Sequence, residues 1–341
     1  MDSKKVLVLG ASGYVGSRLI PALLAEGYRV RASGRSLGTL RTRPWAQHPA
    51  VDLFPVDIFN REKLKEAGQG CFAAYYLVHS MNPQHKNFAQ ADREAAYNMI
   101  WAARESHLER IIYLGGLGEE RDHLSKHLLS RLEVNKILHS GEVPVTTLRA
   151  AQIIGTGSFS FEIVRYLVNR LPVMITPRWV STRSQPIAIR NVLRYLTGCL
   201  KLKEAEGQVY DIGGADIVSY RELMEIYAEE AGLRKRIIIS VPFLTPRLSS
   251  YWISFVTPLS ASLARPLAEG LVNEVICRDK RIQDLITQNL LNCREAIRLT
   301  LNPEKAMSYP GLNKSFPPPE GKYPGDPPWV GGDKWMLLRI R

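Results

Sequence analysis

The sequence predicts an α/β fold: a doubly wound parallel sheet, completed by a smaller C-terminal subdomain. Two observations carry that prediction. Up to residue 150, short apolar, β-branched runs alternate with stretches of helical spacing. A glycine-rich turn, "GASGYVG" (10–16), joins the first run to the first helix. Alternation of this kind calls for right-handed crossovers between neighbouring parallel strands.

Each element follows from its own pattern. "KVLVLG" (5–10) is a continuous apolar run ending in glycine, the signature of a strand buried on both faces. "YVGSRLIPALLAEG" (14–27) has helical spacing and stops at Gly27. Further strands are expected at 28–33, 51–57, 71–80, 110–116 and 143–150. Helices are expected around "REKLKEAG", over 85–106 and over 122–140. Beyond residue 150 the alternation weakens. Helices are predicted at 161–171, 190–200 and 219–232, the last opening on a Ser N-cap, with strands at 185–189 and 207–214. Residues 316–328 are dense in Pro and Gly and predict a poorly ordered tail. The organisation expected is therefore a sheet domain over 1–150, a capping region over 151–300 and an irregular tail over 301–341.

The chain has 341 residues, and 45 Lys+Arg against 33 Asp+Glu give a formal charge of +12. Half of that surplus sits in residues 1–48, without a basic block interleaved with aromatics. A nucleic-acid partner is not expected on that pattern. Cys71, Cys199, Cys277 and Cys293 stand far apart, with no C-x-x-C and no histidine at zinc spacing, so reduced thiols and no metal site are expected. Lone reduced thiols of this kind are expected in the cytoplasm, and the N-terminus runs straight into a strand with no signal-like apolar segment. Residues 248–264, "LSSYWISFVTPLSASLA", are uncharged but short for a span and rich in serine. They read as a helical cap over a pocket, with peripheral membrane contact as the minority alternative.

The glycine turn carries the first chemistry. Gly10 permits a tight turn, Gly13 lets backbone approach a pyrophosphate, and Gly16 lets helix and strand pack closely. The helix N-terminus then offers free N–H groups to phosphate. Gly10, Ser12, Gly13, Tyr14, Val15 and Gly16 are thus the expected dinucleotide contacts of a Rossmann-like domain. At the end of the second strand, "RASGRS" puts Gly34 where an acid would bind a ribose hydroxyl, and Arg35 follows. Arg31, Arg41 and Arg43 add positive charge. A guanidinium suits a 2′-phosphate, so NADP is the expected cofactor and NAD the alternative.

With the glycine turn, "GRS" and the helix at 122–140 in place, the chain resembles the short-chain dehydrogenase/reductase superfamily, more narrowly its atypical, NmrA-like branch. "YYLVHSM" (75–81), "IIYLGGLG" (111–118), "HLLSRLEV" (127–134) and "TPRWVSTRSQPIAI" (176–189) are similar to one bacterial subgroup of that branch. The resemblance covers about residues 4–300. In that subgroup a further C-terminal domain often follows, and a chain ending at Arg341 is expected to lack it or to carry a shortened one.

The resemblance implies that Asp57 and Ile58 lie near the adenine, and Val78 and His79 along the nicotinamide half. It also implies a Tyr-x-x-x-Lys pair on the helix at 122–140 and a serine after the fifth strand. Aligned through "HLLSR", those positions hold His127, Arg131 and Gly115 or Gly116. His127 and Arg131 share one helix face. They are the catalytic candidates, with Arg131 better suited to clamp a ribose than to form a catalytic couple. The function expected is hydride transfer from NADP(H) to a quinone or carbonyl compound. The alternative is a non-catalytic redox sensor or assembly subunit with a protein partner.

Overall fold

The computed structural model describes residues 4–78, 88–118, 125–241, 256–258, 270, 272–307 and 315–332. β1 (Lys5–Leu9) sets the layering. Its residues alternate between faces, so Val6 and Val8 enter one apolar core while Leu7 and Leu9 enter another. All four are buried, which is why the strand reads as a continuous apolar run. α1 (Tyr14–Ala25) covers the first face, and Gly27 beyond it takes the left-handed conformation, with φ +83°.

β2 (Arg29–Gly34), α2 (Leu37–Arg41), β3 (Val51–Pro55), α3 (Arg61–Gly68), β4 (Ala73–Tyr76), α4 (Phe88–Glu105), β5 (Arg110–Gly116), α5 (Lys126–His139) and β6 (Val145–Ala150) continue the alternation. Four two-residue or short strands follow: β7 (Ile153–Ile154), β8 (Val173–Pro177), β9 (Arg183–Ser184) and β10 (Ile187–Ala188). α6 (Phe159–Arg170) precedes β8, and α7 (Ile189–Lys201) leads to β11 (Val209–Ile212). β12 (Val218–Ser219), α8 (Tyr220–Glu230) and β13 (Ile237–Val241) complete the strands of the described residues.

Seven strands form one sheet in the order β11-β6-β5-β4-β1-β2-β3, with every neighbouring pair parallel. The doubly wound expectation holds, and the seventh strand comes from beyond residue 150. The strand order reverses beside β1, so a crevice opens at the carboxyl ends of β1 and its neighbours. A separate apolar core joins α6, α8 and the helix Cys293–Leu301. Ser219 caps α8 in a reciprocal capping box with Glu222, as the Ser N-cap predicts.

The tail is a correction. Residues 315–332 contain no regular helix or strand, as the Pro and Gly content dictates, but they are not poorly ordered. Phe316, Glu320, Tyr323 and Val330 are buried against the body of the protein. Backbone that cannot join a ladder is held here by side chains from the sheet domain. Arg18 donates to the carbonyls of Pro319 (2.9 Å) and Gly321 (2.8 Å). Its guanidinium lies between the rings of Tyr14 and Tyr323, 4.4 and 4.5 Å from their centroids. The uncharged stretch 248–264 lies outside the described residues except for 256–258.

Candidate dinucleotide site

The crevice holds a cleft of about 240 Å3, walled by the ends of β1, β2, β3 and β4. Its floor is the glycine turn. Gly10 and Ala11 both donate to the Ser33 carbonyl at 3.0 Å, which ties the turn to the end of β2. Gly10 has φ +85°, and a Cβ there would sit 2.8 Å from the Leu77 carbonyl oxygen. A Cβ on Gly16 would collide with the Gly10 carbonyl, so helix and turn touch only because that atom is missing. Gly13 is the N-cap of α1 and brings no capping side chain. The first-turn N–H groups of α1 are therefore left to a ligand. This cradle fits a pyrophosphate.

Arg35 lines the cleft, is exposed, and makes no hydrogen bond or ion pair among the described residues. Gly34 stands beside it, and a Cβ there would come within 3.2 Å of the Ser12 hydroxyl oxygen. The other nearby arginines are engaged elsewhere. Arg31 pairs with Asp52 at 2.8 Å and donates to the carbonyls of Ala67 and Gln69. Arg43 is buried, donating to Asp326 at 2.7 Å and to the Ser12 carbonyl. Arg41 closes α2 and is exposed.

Asp57, Ile58 and Val78 are also walls of the cleft. The Asp57 carboxylate accepts the Phe59 N–H at 3.1 Å, and Asn98 on α4 donates to the Ile58 carbonyl at 3.1 Å, which fixes this edge. His79 lies outside the described residues. Tyr14 and Val15 direct their side chains to the core beneath α1, so only their backbone faces the turn. Burial pushes the Tyr14 phenol well above its ordinary pKa, with Arg18 opposing. Leu9, Ser33, Val56, Phe59 and Leu77 are walls that sequence reasoning did not single out. Their only signal was position at a strand end.

Arg131, at the Lys position of the expected pair, is not among the walls of this cleft. Arg131 donates to the Leu114 carbonyl and lies 5.2 Å from the Tyr113 ring centroid, tying α5 to β5. Gly116 permits that approach, because a Cβ there would meet Leu128 at 3.1 Å. His127 lies in the first turn of α5, whose N-cap Ser125 accepts the Leu128 N–H. The side chain of His127 is outside the described residues. The four cysteines are free and buried, and burial pushes the thiols of Cys199, Cys277 and Cys293 up to about 12. Among the described residues no cluster of His, Cys, Asp or Glu could hold a metal, and no helix is long and apolar enough to cross a membrane.

Strand order, glycine cradle and cleft together define a dinucleotide-binding, Rossmann-like protein. Residues 10–166 match a family described as NAD(P)H-binding. Cinnamoyl-CoA reductase 1 of Petunia hybrida is 27% identical over 123 residues, covering 35% of this chain and 37% of that one. The match thus spans little more than a third of the relative's length. Photosystem II assembly factor Ycf39 of Cyanophora paradoxa is 22% identical, over 70% of this chain and 73% of its own. The crystal structure of the NADPH-dependent quinone oxidoreductase QOR2 of Escherichia coli, complexed with NADPH, shares the fold. Its TM-score is 0.67 at 18% identity, over 86% of this chain and 98% of that one. Residues 10–166 thus carry an NAD(P)H-binding domain, and the chain as a whole shares its fold with the quinone oxidoreductase structure.

Proposed function

We propose that this protein is a cytoplasmic reductase that prefers NADPH and acts on flat, conjugated acceptors of the quinone class. One observation carries the cofactor preference. Arg35 stands at the ribose end of the cleft without a partner among the described residues, and Gly34 replaces the acid that would favour NAD. The acceptor class is supported by the residues after β5. A carbonyl needs a hydroxyl pair to orient and protonate it, and Gly115 and Gly116 offer only backbone. A quinone that accepts a hydride spreads the charge over its ring, so it needs less from the protein.

NADPH, when bound, supplies the hydride, two electrons with one hydrogen, and one further proton from His127 or water completes the hydroquinone. The protein's share is to hold the pyrophosphate on the α1 N-terminus, the 2′-phosphate on Arg35 and the adenine edge on Asp57 and Ile58. Arg131 carries one carbonyl bond and retains guanidinium donors for a ribose hydroxyl. The missing hydroxyl residues also support a second reading, an NADP(H)-binding sensor or assembly subunit without turnover. The assembly factor among the relatives is in keeping with it.

Calorimetry with NADPH and NADH tests the cofactor reading. A lost charge-assisted contact is worth about 1.5–3 kcal/mol, so Arg35→Ala should weaken NADPH binding by about tenfold or more and leave NADH unchanged. Equal affinity for both nucleotides in the wild type would overturn it. Steady NADPH oxidation with a water-soluble benzoquinone separates reductase from sensor; binding without oxidation selects the sensor.

A further inference from the structure

β8 and β13 form a two-stranded parallel sheet apart from the main one. Their inward positions behave as a core requires: Met174 and Ile238 are buried. The outward positions do not. Val173 pairs with Ile237 and Ile175 with Ile239 in register. These four side chains are 49%, 57%, 55% and 49% exposed, respectively. A solvated face normally carries polar residues in alternation with the apolar ones. Here four β-branched side chains form one contiguous apolar patch, the kind of surface that marks an interaction site.

The surroundings say what covers it. Arg234, Lys235 and Arg236 run directly into β13, and the exposed Arg178 follows β8. Arg221 on α8 donates to the Ser240 hydroxyl at 3.1 Å, at the far end of β13. Neither residues 163–203 nor residues 231–268, which contain the two strands, include an aspartate or glutamate. A second copy of this chain is a poor occupant. Two-fold pairing would bring the patch onto itself and set these cations against their equivalents. An anionic bilayer answers both features: its headgroups attract Lys and Arg, and its interface accepts branched apolar side chains.

We propose that the β8–β13 face is a peripheral membrane contact that docks on anionic phospholipid. The apolar pairs enter the interface, and Arg178, Arg234 and Lys235 meet the headgroups. The proposal stands independently of the acceptor class, because it rests on a surface remote in sequence from the glycine turn.

Cosedimentation of the whole protein with vesicles tests it, using phosphatidylcholine alone and phosphatidylcholine with phosphatidylglycerol. Binding is expected only to the anionic vesicles, falling as salt rises. Ile175→Asp/Ile239→Asp and, separately, Arg234→Glu/Lys235→Glu should each weaken it at least tenfold. Both pairs replace exposed side chains, and unchanged circular dichroism and NADPH affinity would confirm that the variants fold. No binding to anionic vesicles, or binding that neither pair alters, would overturn the proposal. So would a wild-type dimer in sedimentation equilibrium that Ile175→Asp/Ile239→Asp converts to a monomer, since a second copy would then hold the patch.

Discussion

Asp326→Asn should destabilise the protein by about 3 kcal/mol, because it removes the one negative charge between two buried arginines. Asp326 meets Arg18 at 2.8 Å and Arg43 at 2.7 Å, and all three side chains are at most 4% exposed. Asparagine has the same shape but no charge, so both guanidinium groups would stay buried without that counter-charge. Breaking a buried pair from one side costs roughly 3–5 kcal/mol. Arg18 keeps the carbonyls of Pro319, Thr156 and Gly321, which places the loss at the lower end. Urea unfolding measures it: the midpoint falls while the slope holds. A loss below about 1 kcal/mol would refute the docked tail.

The same residue makes a pH prediction. Burial pushes the Asp326 carboxyl up, but the Arg18 charge and hydrogen bonds from Arg18, the Tyr323 N–H and Arg43 outweigh it. Its pKa therefore lies below the ordinary carboxylate value. Such a group contributes stability that is fully present above the unfolded pKa of about 3.9 and lost as pH falls through the folded value. The stability gap between wild type and Asp326→Asn should accordingly narrow as the pH is lowered below about 4. Because Arg43 also grips the Ser12 carbonyl, the variant should weaken NADPH binding severalfold at neutral pH.

Two further substitutions probe the glycine turn. Gly10→Ala forces a side chain into a left-handed φ, at a cost of about 1–2 kcal/mol, and against the Leu77 carbonyl. Calorimetry should show NADPH affinity down at least tenfold, with a lowered melting temperature. Tyr14→Phe removes a buried hydroxyl that has no hydrogen-bond partner. Stability should hold or rise by up to about 1 kcal/mol, and NADPH affinity should stay the same, since the ring faces the core. A loss of affinity would place the phenol in the cofactor site.

Legibility followed the range of the interactions. β1 and the turn after it are written in consecutive residues, so spacing alone located the cradle and the sheet. β7, β9 and β10 are two residues long, and no period can be read from two residues. The tail failed for a related reason. Its Pro and Gly content describes what its backbone cannot do. What holds it is Arg18, some three hundred positions earlier, and no local pattern announces that pairing.

The arginines near the second strand show the same limit within the site. Arg31, Arg35, Arg41 and Arg43 look equivalent as local positive charge, yet each has a different fate. Arg31 lies directly across the β2–β3 ladder from Asp52, and opposite charges in that position pair. Register alone thus ties Arg31 to its ladder partner, whereas Arg43 is engaged by the distant Asp326 and by the Ser12 carbonyl. Arg31→Ala should therefore leave NADPH affinity within about twofold, because a partly exposed pair contributes mainly to stability, about 1 kcal/mol or less, lost as salt rises. Arg35→Ala should abolish the preference over NADH. Calorimetry on the two variants side by side separates these roles. An equal loss of NADPH affinity in both would mean that the phosphate is held by diffuse charge around β2, and that no single guanidinium reads it.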